Sequence, residues 1–466
     1  MADSQSGIRA NDPIGAMNNA KYGKFHRNIA IVAALGAFTD LYVIQALGAS
    51  TFSIVPNLLH STSNFAYTAS LLFIGAVIGV FSMGNVVDRV GRRLTFILTL
   101  SLVFIFSILT IFVTTPLELN ILRFLLGFAT GADYPAAMTI VAEFLPTKER
   151  GRGLTYLWAG FTLGGVAAYL LGYILYITTG PTPYEWRIML GSVAVPAFIG
   201  IILRTTLPES PRWAIEKKKF DVASKSIERA SGKKFSELEL ESSRKLLFED
   251  QKTRIKKYHF KYFIIILPLV IAVMLFNLIP GALSTLNPTI LSSLGISKAG
   301  TLLYSAAFLA VQFVAVMIVA RTIENVSRLK WAVLGGALEG ILALFVILFY
   351  HNAIALFALF MGLSFFAFIA VPVMRNTGSE LFPTEFRGFS SGVIMTGDRI
   401  ASVIGLLITP LLFAGKNVDL LFSVYGVIGL LGTFIAFIGL RRKKIDKVSL
   451  EDIQLSFLME EEGEGE

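Results

Sequence analysis

The stretch EFLPTKERG, at Glu143–Gly151, returns with few changes as ELFPTEFRG at Glu380–Gly388, an offset of 237 positions. A second stretch, GNVVDRVGRR at Gly84–Arg93, has a degraded copy, ARTIENVSRL at Ala320–Leu329, at an offset of 236. Two separate matches at nearly one offset indicate that the chain consists of two repeated halves.

The chain around these repeats is strongly apolar. Of its 466 residues, 54% are hydrophobic and only 16% are charged, and the mean hydropathy is +0.68. A soluble chain of this length cannot bury so much apolar surface. Twelve apolar runs are each long enough to cross a hydrocarbon core of ~30 Å. The sequence therefore predicts an all-α polytopic membrane protein with twelve transmembrane helices in two six-helix bundles.

Polar stretches divide the chain into five predicted regions. They are an N-terminal segment (1–27), a first bundle (28–206), a central linker (207–259), a second bundle (260–440) and an acidic tail (441–466). The linker is predicted either as short amphipathic helices or as solvated chain. The repeated stretches fall in corresponding loops, so the halves are parallel repeats related by a pseudo-two-fold axis along the membrane normal.

Loop charge predicts the orientation of the chain in the membrane. The basic stretches DRVGRR, PTKERGRG and RRKK all fall on one side, and loops on the other side, such as TTGPTP, are poor in Lys and Arg. The positive-inside rule places the basic side, both termini and the central linker in the cytoplasm.

Several kinds of function are excluded or disfavoured. The absence of cysteine excludes disulfides, thiolate metal sites and thiol nucleophiles, and the four histidines lack metal-ligand spacing. The net charge of +9 lies in loops beside spans, which favours membrane lipids over nucleic acid as partners. The N-terminus lacks the pattern of a cleavable signal peptide. No nucleophile–base pair or metal constellation appears on the spans, so we expect neither an enzyme nor a cofactor.

Several motifs together resemble the major facilitator superfamily. GNVVDRVGRR is similar to that family's signature between its second and third spans. The stretches RFLLGFATG, EFLPTKERGRG and PESPRW resemble the branch that holds sugar porters, phosphate:proton symporters and organic ion transporters. The resemblance covers nearly the whole chain, and it implies the major facilitator fold, alternating access and a substrate site between the halves.

The resemblance also implies a gate at the cytoplasmic loops. Gly84 would allow neighbouring helices to approach closely, and Gly91 would allow a tight turn. Inter-helix ion pairs that hold the outward-facing state are expected among Asp88, Glu143, Arg150, Glu380 and Arg387. The full set of expected gating residues is Gly84, Asp88, Arg89, Gly91, Arg92, Arg93, Glu143, Arg150, Glu324, Arg328, Glu380 and Arg387.

Three charged residues within the spans of the first half are candidates for proton coupling: Asp40, Arg123 and Asp133. A charge at the bilayer centre costs at least ~2.5–3.5 kcal/mol, so each should face a cavity or a partner. Burial favours the neutral form of Asp40, and a nearby Arg123 would oppose that. These two match the span-1 Asp and span-4 Arg of proton-coupled sugar porters. Asp133 matches a span-4 acid of the phosphate symporters.

Arg399 is the single buried cation expected in the second half, where the repeat aligns Asp40 with the uncharged Asn277. A guanidinium in a dry cavity can bind a carboxylate or phosphate through two hydrogen bonds. Arg399 falls where organic anion transporters carry a span-11 Arg, whereas phosphate symporters have a Lys there. The resemblance therefore implies that Arg399 binds an anionic substrate.

The aromatic and amide residues expected to line the site are Tyr134, Trp158, Phe161, Asn277, Asn287 and Asn376. The span-7 Trp–Asp–Tyr set of phosphate symporters is replaced by Val273, Asn277 and Gly281, and the glutamines of sugar porters are missing. These departures argue against phosphate and against a hexose.

The function expected from the sequence is proton-coupled symport of a small organic anion, a carboxylate, across the cell membrane. The expected partners are that anion, protons and membrane lipids, and the chain is expected to act as a monomer. Transport of phosphate, a sugar or an organic cation by the same type of protein stays an alternative.

Overall fold

A computed structural model describes the backbone of residues 12–245, 252–323, 325–380 and 384–441. Within those ranges it describes all side chains except those of 83–89, 134–135, 252–265, 279, 353, 377–380, 384–389, 391 and 441. The helices, numbered in chain order, are α1 (Pro13–Asn18), α2 (Lys24–Ala49), α3 (Thr51–Ile54), α4 (Thr62–Val90), α5 (Arg92–Leu109), α6 (Pro116–Phe144), α7 (Arg150–Thr179), α8 (Pro183–Gly191), α9 (Ala194–Thr205), α10 (Pro211–Glu216), α11 (Phe220–Ser231), α12 (Glu237–Arg244), α13 (Lys252–Ser293), α14 (Lys298–Thr322), α15 (Arg328–Phe349), α16 (Ala353–Glu380), α17 (Thr384–Leu412) and α18 (Val418–Arg441).

Local sequence signals set the ends of these helices. α6 follows Thr115, whose hydroxyl accepts a hydrogen bond from the backbone of Glu118, while the Glu118 carboxylate accepts one from the backbone of Thr115. Ser297 caps α14 by accepting a hydrogen bond from Gly300 N–H. Between α4 and α5 the chain turns at Gly91, whose φ of 108° favours glycine. The two caps mark where α6 and α14 begin, and Gly91 marks the turn between α4 and α5.

Twelve stretches of the described chain are long and apolar enough to cross a membrane, as the sequence predicted. Six belong to the first half (α2, α4, α5, α6, α7 and the pair α8–α9) and six to the second (α13 to α18). Large apolar side chains such as Val195, Leu348 and Ile354 are more than half exposed, as expected of a surface that faces lipid. The predicted all-α membrane fold is confirmed.

Two long helix contacts join the bundles. α7 of the first bundle packs along α14 of the second, and α4 of the first packs along α17 of the second. In the repeat, α4 corresponds to α14 and α7 corresponds to α17. The contact of α7 with α14 is therefore the repeat equivalent of the contact of α17 with α4. This is the arrangement that a pseudo-two-fold axis between the bundles requires.

Short helices pack beside the first bundle on the side where its basic loops lie. Residues 207–245 of the predicted linker contain α10, α11 and α12, as the amphipathic-helix alternative predicts, and residues 252–259 belong to α13. Ala223 and Ile227 of α11 are buried, as are Ile14 and Met17 of α1, which packs against α11 and α12. The N-terminal segment and the linker therefore form one small layer; residues 1–11 and 442–466 lie outside the described chain.

Within the first bundle, glycine lets the backbones of α4 and α6 touch. A Cβ on Gly127 would lie 1.8 Å from the carbonyl oxygen of Leu72, and one on Gly75 would lie 2.0 Å from that of Phe124. No side chain fits at these positions unless a helix moves. Other glycines lack this constraint, since a Cβ on Gly392 would meet only Val80, at 3.5 Å.

We predict that Gly127→Ala lowers the apparent melting temperature of the detergent-solubilised protein by several degrees, because α4 and α6 must separate. The control is Gly392→Ala, which should leave the melting temperature unchanged or raise it, since alanine favours the helix over glycine. Equal melting temperatures for the two variants would contradict the close contact.

Candidate functional site

A cavity of about 630 Å³, part of it open to solvent, lies between the two bundles. Its walls come from α2, α4 and α7 of the first bundle and from α13, α14, α16 and α17 of the second. Of the residues that the sequence predicts for the site, the cavity is lined by Asp40, Trp158, Phe161, Asn277 and Arg399. The cavity therefore brings five of the predicted site residues together between the bundles.

An ion pair in this cavity joins the bundles. Nη2 of Arg399, on α17, donates to Oδ2 of Asp40, on α2, at 2.6 Å. Each side chain is only 5% exposed. The guanidinium also lies 5.6 Å from the centroid of the Phe73 ring. A buried pair of this kind is stabilised only while both partners are charged and in place.

Arg123, which the sequence suggested as the partner of Asp40, has another contact. Its Nη1 donates to the carbonyl oxygen of Val43, on α2, at 3.0 Å. It is 2% exposed and is absent from the cavity wall. Because Asp40 points into the cavity while Arg123 approaches α2 at Val43, the described structure pairs Asp40 with Arg399 instead.

A second ion pair lines the same cavity. Arg375, on α16, donates to Asp398, the residue before Arg399 on α17, and both partners are buried. The Arg375 guanidinium stacks on the ring of Trp158, with Cζ 4.5 Å from the centroid. The expectation that Arg399 is the single buried cation of the second half is therefore wrong, because Arg375 is buried as well. Asn277 Nδ2 adds a hydrogen bond of 2.9 Å to Ser402.

Contacts between the bundles lie on both sides of the cavity. Towards the basic loops, Trp158 Nε1 donates to Asn376 Oδ1 at 3.1 Å. Towards the opposite face, the Tyr169 hydroxyl donates to the carbonyl oxygen of Ser284 at 2.7 Å. Trp158 and Tyr169 are eleven residues apart on α7, or ~16 Å along the helix. Asn376 thus contacts the first bundle at one end of the cavity and is absent from its wall.

Asp133, predicted to carry a proton, lies outside this cavity in an ion pair within the first bundle. Arg204 Nη2 donates to Asp133 Oδ2 at 2.7 Å, and the Thr99 hydroxyl donates to Asp133 Oδ1 at 2.6 Å. Arg204 is fully buried with its guanidinium over Phe96, 3.3 Å from the ring centroid. A Cβ on Gly36 of α2 would lie 2.1 Å from Arg204 Nη2, so glycine makes room for the pair. This arrangement indicates that Asp133 holds helices together.

Asn287 lies in a different pocket from the one predicted. This outer pocket, of about 280 Å³, is nearer the end of α13 and is walled mainly by apolar residues of α14 and α16, including Tyr304, Phe308 and Phe360. Asn287 is 1% exposed, and its Oδ1 has no hydrogen-bond partner in the described chain. It contributes no wall to the cavity that holds Arg399.

Several of the predicted gating residues contact the start of the central linker. Arg92, on α5, pairs with Glu143 at the end of α6. The backbone N–H groups of Arg92 and Arg93 donate to Glu209 Oε1 at 2.9 Å and 3.0 Å, which satisfies the free amides at the start of α5. A Cβ on Gly91 would meet Glu209 Oε2 at 2.6 Å. The loop and the PESPRW stretch therefore form one unit.

The other predicted gating residues are placed as follows. Arg150 Nη2 donates to Asn18 Oδ1 of α1 at 3.0 Å. Arg328 Nη1 donates to the carbonyl oxygen of Ile323 at 3.1 Å. The predicted site residues whose side chains lie outside the described part are Gly84, Asp88, Arg89, Tyr134, Glu324, Glu380 and Arg387.

Six residues with a functional or structural role in the described chain were not predicted from the sequence. Arg375 and Arg204 were missed because each lies within two turns of the end of its helix, where a charge is easily assigned to a loop. Gln45 and Gln312, which line the cavity, carry no charge to mark them. The last two are Glu209 at the linker and Glu339, a buried acid on α15 that accepts a hydrogen bond of 2.7 Å from Tyr425.

We predict that Arg204→Gln sharply lowers the melting temperature and folded yield, because Asp133 is left buried and unpaired. Removing one partner of such a pair costs ~3–5 kcal/mol. The double variant with Asp133→Asn should recover part of the loss, and Arg152→Gln, at an exposed pair, should change little. A double variant no more stable than Arg204→Gln would contradict this assignment.

Comparison with known proteins agrees with this architecture. The proton:xylose symporter XylE bound to 6-bromo-6-deoxy-D-glucose superposes with a TM-score of 0.80 over 92% of this chain and 98% of its own, at 18% sequence identity. At that identity the likeness shows the shared fold.

Sequence relatives cover most of the chain. YaaU of Escherichia coli (strain K12), named for metabolite transport, is 27% identical over 428 residues, which cover 91% of this chain and 94% of that protein. The glucose transporter GlcP of Staphylococcus epidermidis (strain ATCC 12228 / FDA PCI 1200) is 26% identical over 419 residues, which cover 86% and 91%. The profile of the family described as sugar (and other) transporter matches residues 27–457. The chain is therefore a member of the sugar (and other) transporter family, a multi-pass membrane protein with the major facilitator fold.

Proposed function

We propose that the protein is a symporter that carries a proton together with a small organic anion, a carboxylate, across the cell membrane. The observation that carries this proposal is the ion pair of Asp40 and Arg399 in the cavity between the bundles. The loop charge supports an orientation with both termini in the cytoplasm.

Exchange of one carboxylate for another on Arg399 explains how the proton and the anion are coupled. When a proton binds Asp40, its carboxylate loses its charge and releases the guanidinium. A substrate carboxylate can then take that place through charge-assisted hydrogen bonds. The substrate therefore binds where the protein's own acid was.

The empty and the fully loaded cavity carry the same net charge. In the empty cavity Asp40 balances Arg399, and in the loaded cavity the anion balances Arg399 while Asp40 is neutral. A cavity with the proton alone would contain an unpaired buried cation, and one with the anion alone an extra buried anion. Either costs several kcal/mol. Closure of the half-loaded cavity is therefore disfavoured, and this is what couples the two solutes.

The same pair can act on the alternating-access movement. It connects α2 of one bundle with α17 of the other, and the contacts of Trp158 and Tyr169 flank it on the two sides. Breaking either flanking contact alone would open the cavity to one side of the membrane. Such rocking of one bundle against the other around a fixed site is the general mode of these folds.

A neutral sugar is the second candidate substrate. The family description and the amide and aromatic side chains of the cavity favour it, since amides bind hydroxyl groups. Arg375 is paired with Asp398 and Arg399 with Asp40, so binding of a neutral solute also leaves the net charge of the cavity unchanged. The two candidates differ in whether Arg399 is needed for binding.

We predict that Asp40→Asn abolishes uptake driven by a pH gradient in proteoliposomes, because residue 40 can no longer gain or lose a proton. Exchange of labelled substrate for unlabelled substrate across the same membrane should persist. The control is Glu118→Gln, a change at an exposed residue away from the cavity, which should retain full uptake. Gradient-driven accumulation by Asp40→Asn would rule out the coupling role.

We predict that Arg399→Gln weakens binding of a transported carboxylate by about ten- to a hundred-fold, the usual range for a hydrogen bond to a charged group. Affinity is measured by isothermal titration calorimetry on the solubilised protein. Arg187→Gln is the control, because Arg187 bonds backbone carbonyls outside the cavity. Unchanged carboxylate affinity, or tight glucose binding that ignores Arg399, would favour the sugar candidate instead.

A further inference from the structure

Three buried polar atoms, on residues that line the central cavity, have no hydrogen-bond partner in the described chain. They are Oδ1 of Asp40, Nε2 of Gln45 and Oε1 of Gln312. Gln45 is fully buried, and Gln312 is 3% exposed. The exchange of carboxylates on Arg399 leaves all three atoms unused.

Unpaired atoms of this kind are costly. A buried donor or acceptor left unsatisfied costs ~1–3 kcal/mol, and most buried polar groups in folded proteins are paired. Three such atoms in one cavity, from α2 of the first bundle and α14 of the second, indicate that something else satisfies them. Water or a bound solute between the bundles can supply the missing hydrogen bonds.

The two glutamines define the chemistry of that solute. The Oε1 atom of Gln45 accepts a hydrogen bond from the Tyr169 hydroxyl at 3.3 Å, so Gln45 has its nitrogen, a donor, left to pair. The oxygen and nitrogen of an amide are assigned from its hydrogen bonds, so Gln312 can present either a donor or an acceptor. A hydroxyl group both donates and accepts, and it therefore satisfies either orientation. Simple alkyl acids offer nothing to these groups beyond their single carboxylate.

Aromatic rings supply the remaining wall. Trp158 and Phe161 meet edge to face with centroids 5.4 Å apart, and Phe73 lies beside Arg399 on the same cavity. Rings of this kind pack against the C–H groups of a carbon skeleton, while its polar groups meet the amides. The cavity thus combines a site for one negative charge with sites for hydroxyls.

We propose that the substrate class is a hydroxylated carboxylate of the sugar-acid type, with its carboxylate on Arg399 and its hydroxyls on Gln45 and Gln312. This inference rests on the proposed function, since it keeps Arg399 as the site for the anion. It also unites the two candidate substrates, because a sugar acid carries both a charge and a row of hydroxyls.

The outer pocket provides a matched control. Asn287 is also a buried amide with an unpartnered oxygen, but it lies outside the central cavity. A change at Gln312 should affect recognition of hydroxyls, whereas the same kind of change at Asn287 should not.

The experiment measures binding of matched acids to the solubilised full chain by calorimetry. The pairs are glycerate and propionate, gluconate and hexanoate, and glucuronate and tetrahydropyran-2-carboxylate. We expect the tightest ligand to be a hydroxylated acid that binds at least about ten-fold more tightly than its deoxy partner, because each hydroxyl satisfies a group otherwise left unpaired. Gln312→Leu should lose most of that difference, and Asn287→Leu should keep it.

Each contrary result has a defined meaning. Equal binding within every pair, with affinity still lost in Arg399→Gln, overturns the hydroxyl assignment and leaves the proposed function in place. Binding of glucose but of none of the six acids overturns both, and so does the failure of all six acids to bind. If Gln312→Leu elutes as aggregate, the nearly isosteric Gln312→Met takes its place. If the folded Gln312 variant retains the full difference in affinity between a hydroxylated acid and its deoxy partner, the role of Gln312 is overturned.

Discussion

The carboxylate of Asp40 and the guanidinium of Arg399 form an ion pair in a cavity between two halves of a membrane protein, where either charge would be unfavourable without its partner. Each is 5% exposed, and each comes from a different bundle. Taking one charge out of water costs several kcal/mol unless a partner replaces the lost solvation. The pair therefore ties the position of the bundles to the charge state of the cavity. In the proposed mechanism, a proton on Asp40 and an anion on Arg399 together replace the pair without leaving an unpaired charge.

The rest of the structure positions this ion pair. Two helix contacts, α7 with α14 and α4 with α17, carry the packing between bundles and leave the cavity between them. Hydrogen bonds of Trp158 with Asn376 and of Tyr169 with Ser284 join the bundles on its two sides. Inside the first bundle, the Arg204–Asp133 pair and the glycines of α4 and α6 hold the helices in place. The polar contacts between the bundles are few, whereas the contacts inside the first bundle are close.

The fold could be predicted from the sequence because it depends on features that are local or repeated. An apolar run of membrane length identifies a span by itself, and two motifs at nearly the same offset establish the duplication. Asp40 and Arg399 could be found because a charge in such a run is rare. Asn277, the repeat mate of Asp40, lines the same cavity without a charge, as the alignment of the halves implied.

The pairing of these charges could not be predicted in the same way. Asp40 and Arg399 are 359 positions apart, and which of two arginines reaches the acid depends on how helices rotate and cross. Arg123 faces the backbone of the same helix at Val43, one turn from the expected contact. Gln45 and Gln312 could not be predicted because an uncharged amide in a span can serve packing or binding, and only its contacts distinguish the two.

The most direct measurement of the central claim is the number of protons taken up when a carboxylate binds. Solubilised protein in weakly buffered solution near neutral pH is titrated with a carboxylate that binds, and the change in pH is followed with an indicator dye. The exchange on Arg399 predicts one proton taken up per anion bound by the native chain and none by Asp40→Asn. Binding without proton uptake by the native chain, or the same uptake by Asp40→Asn, would contradict it.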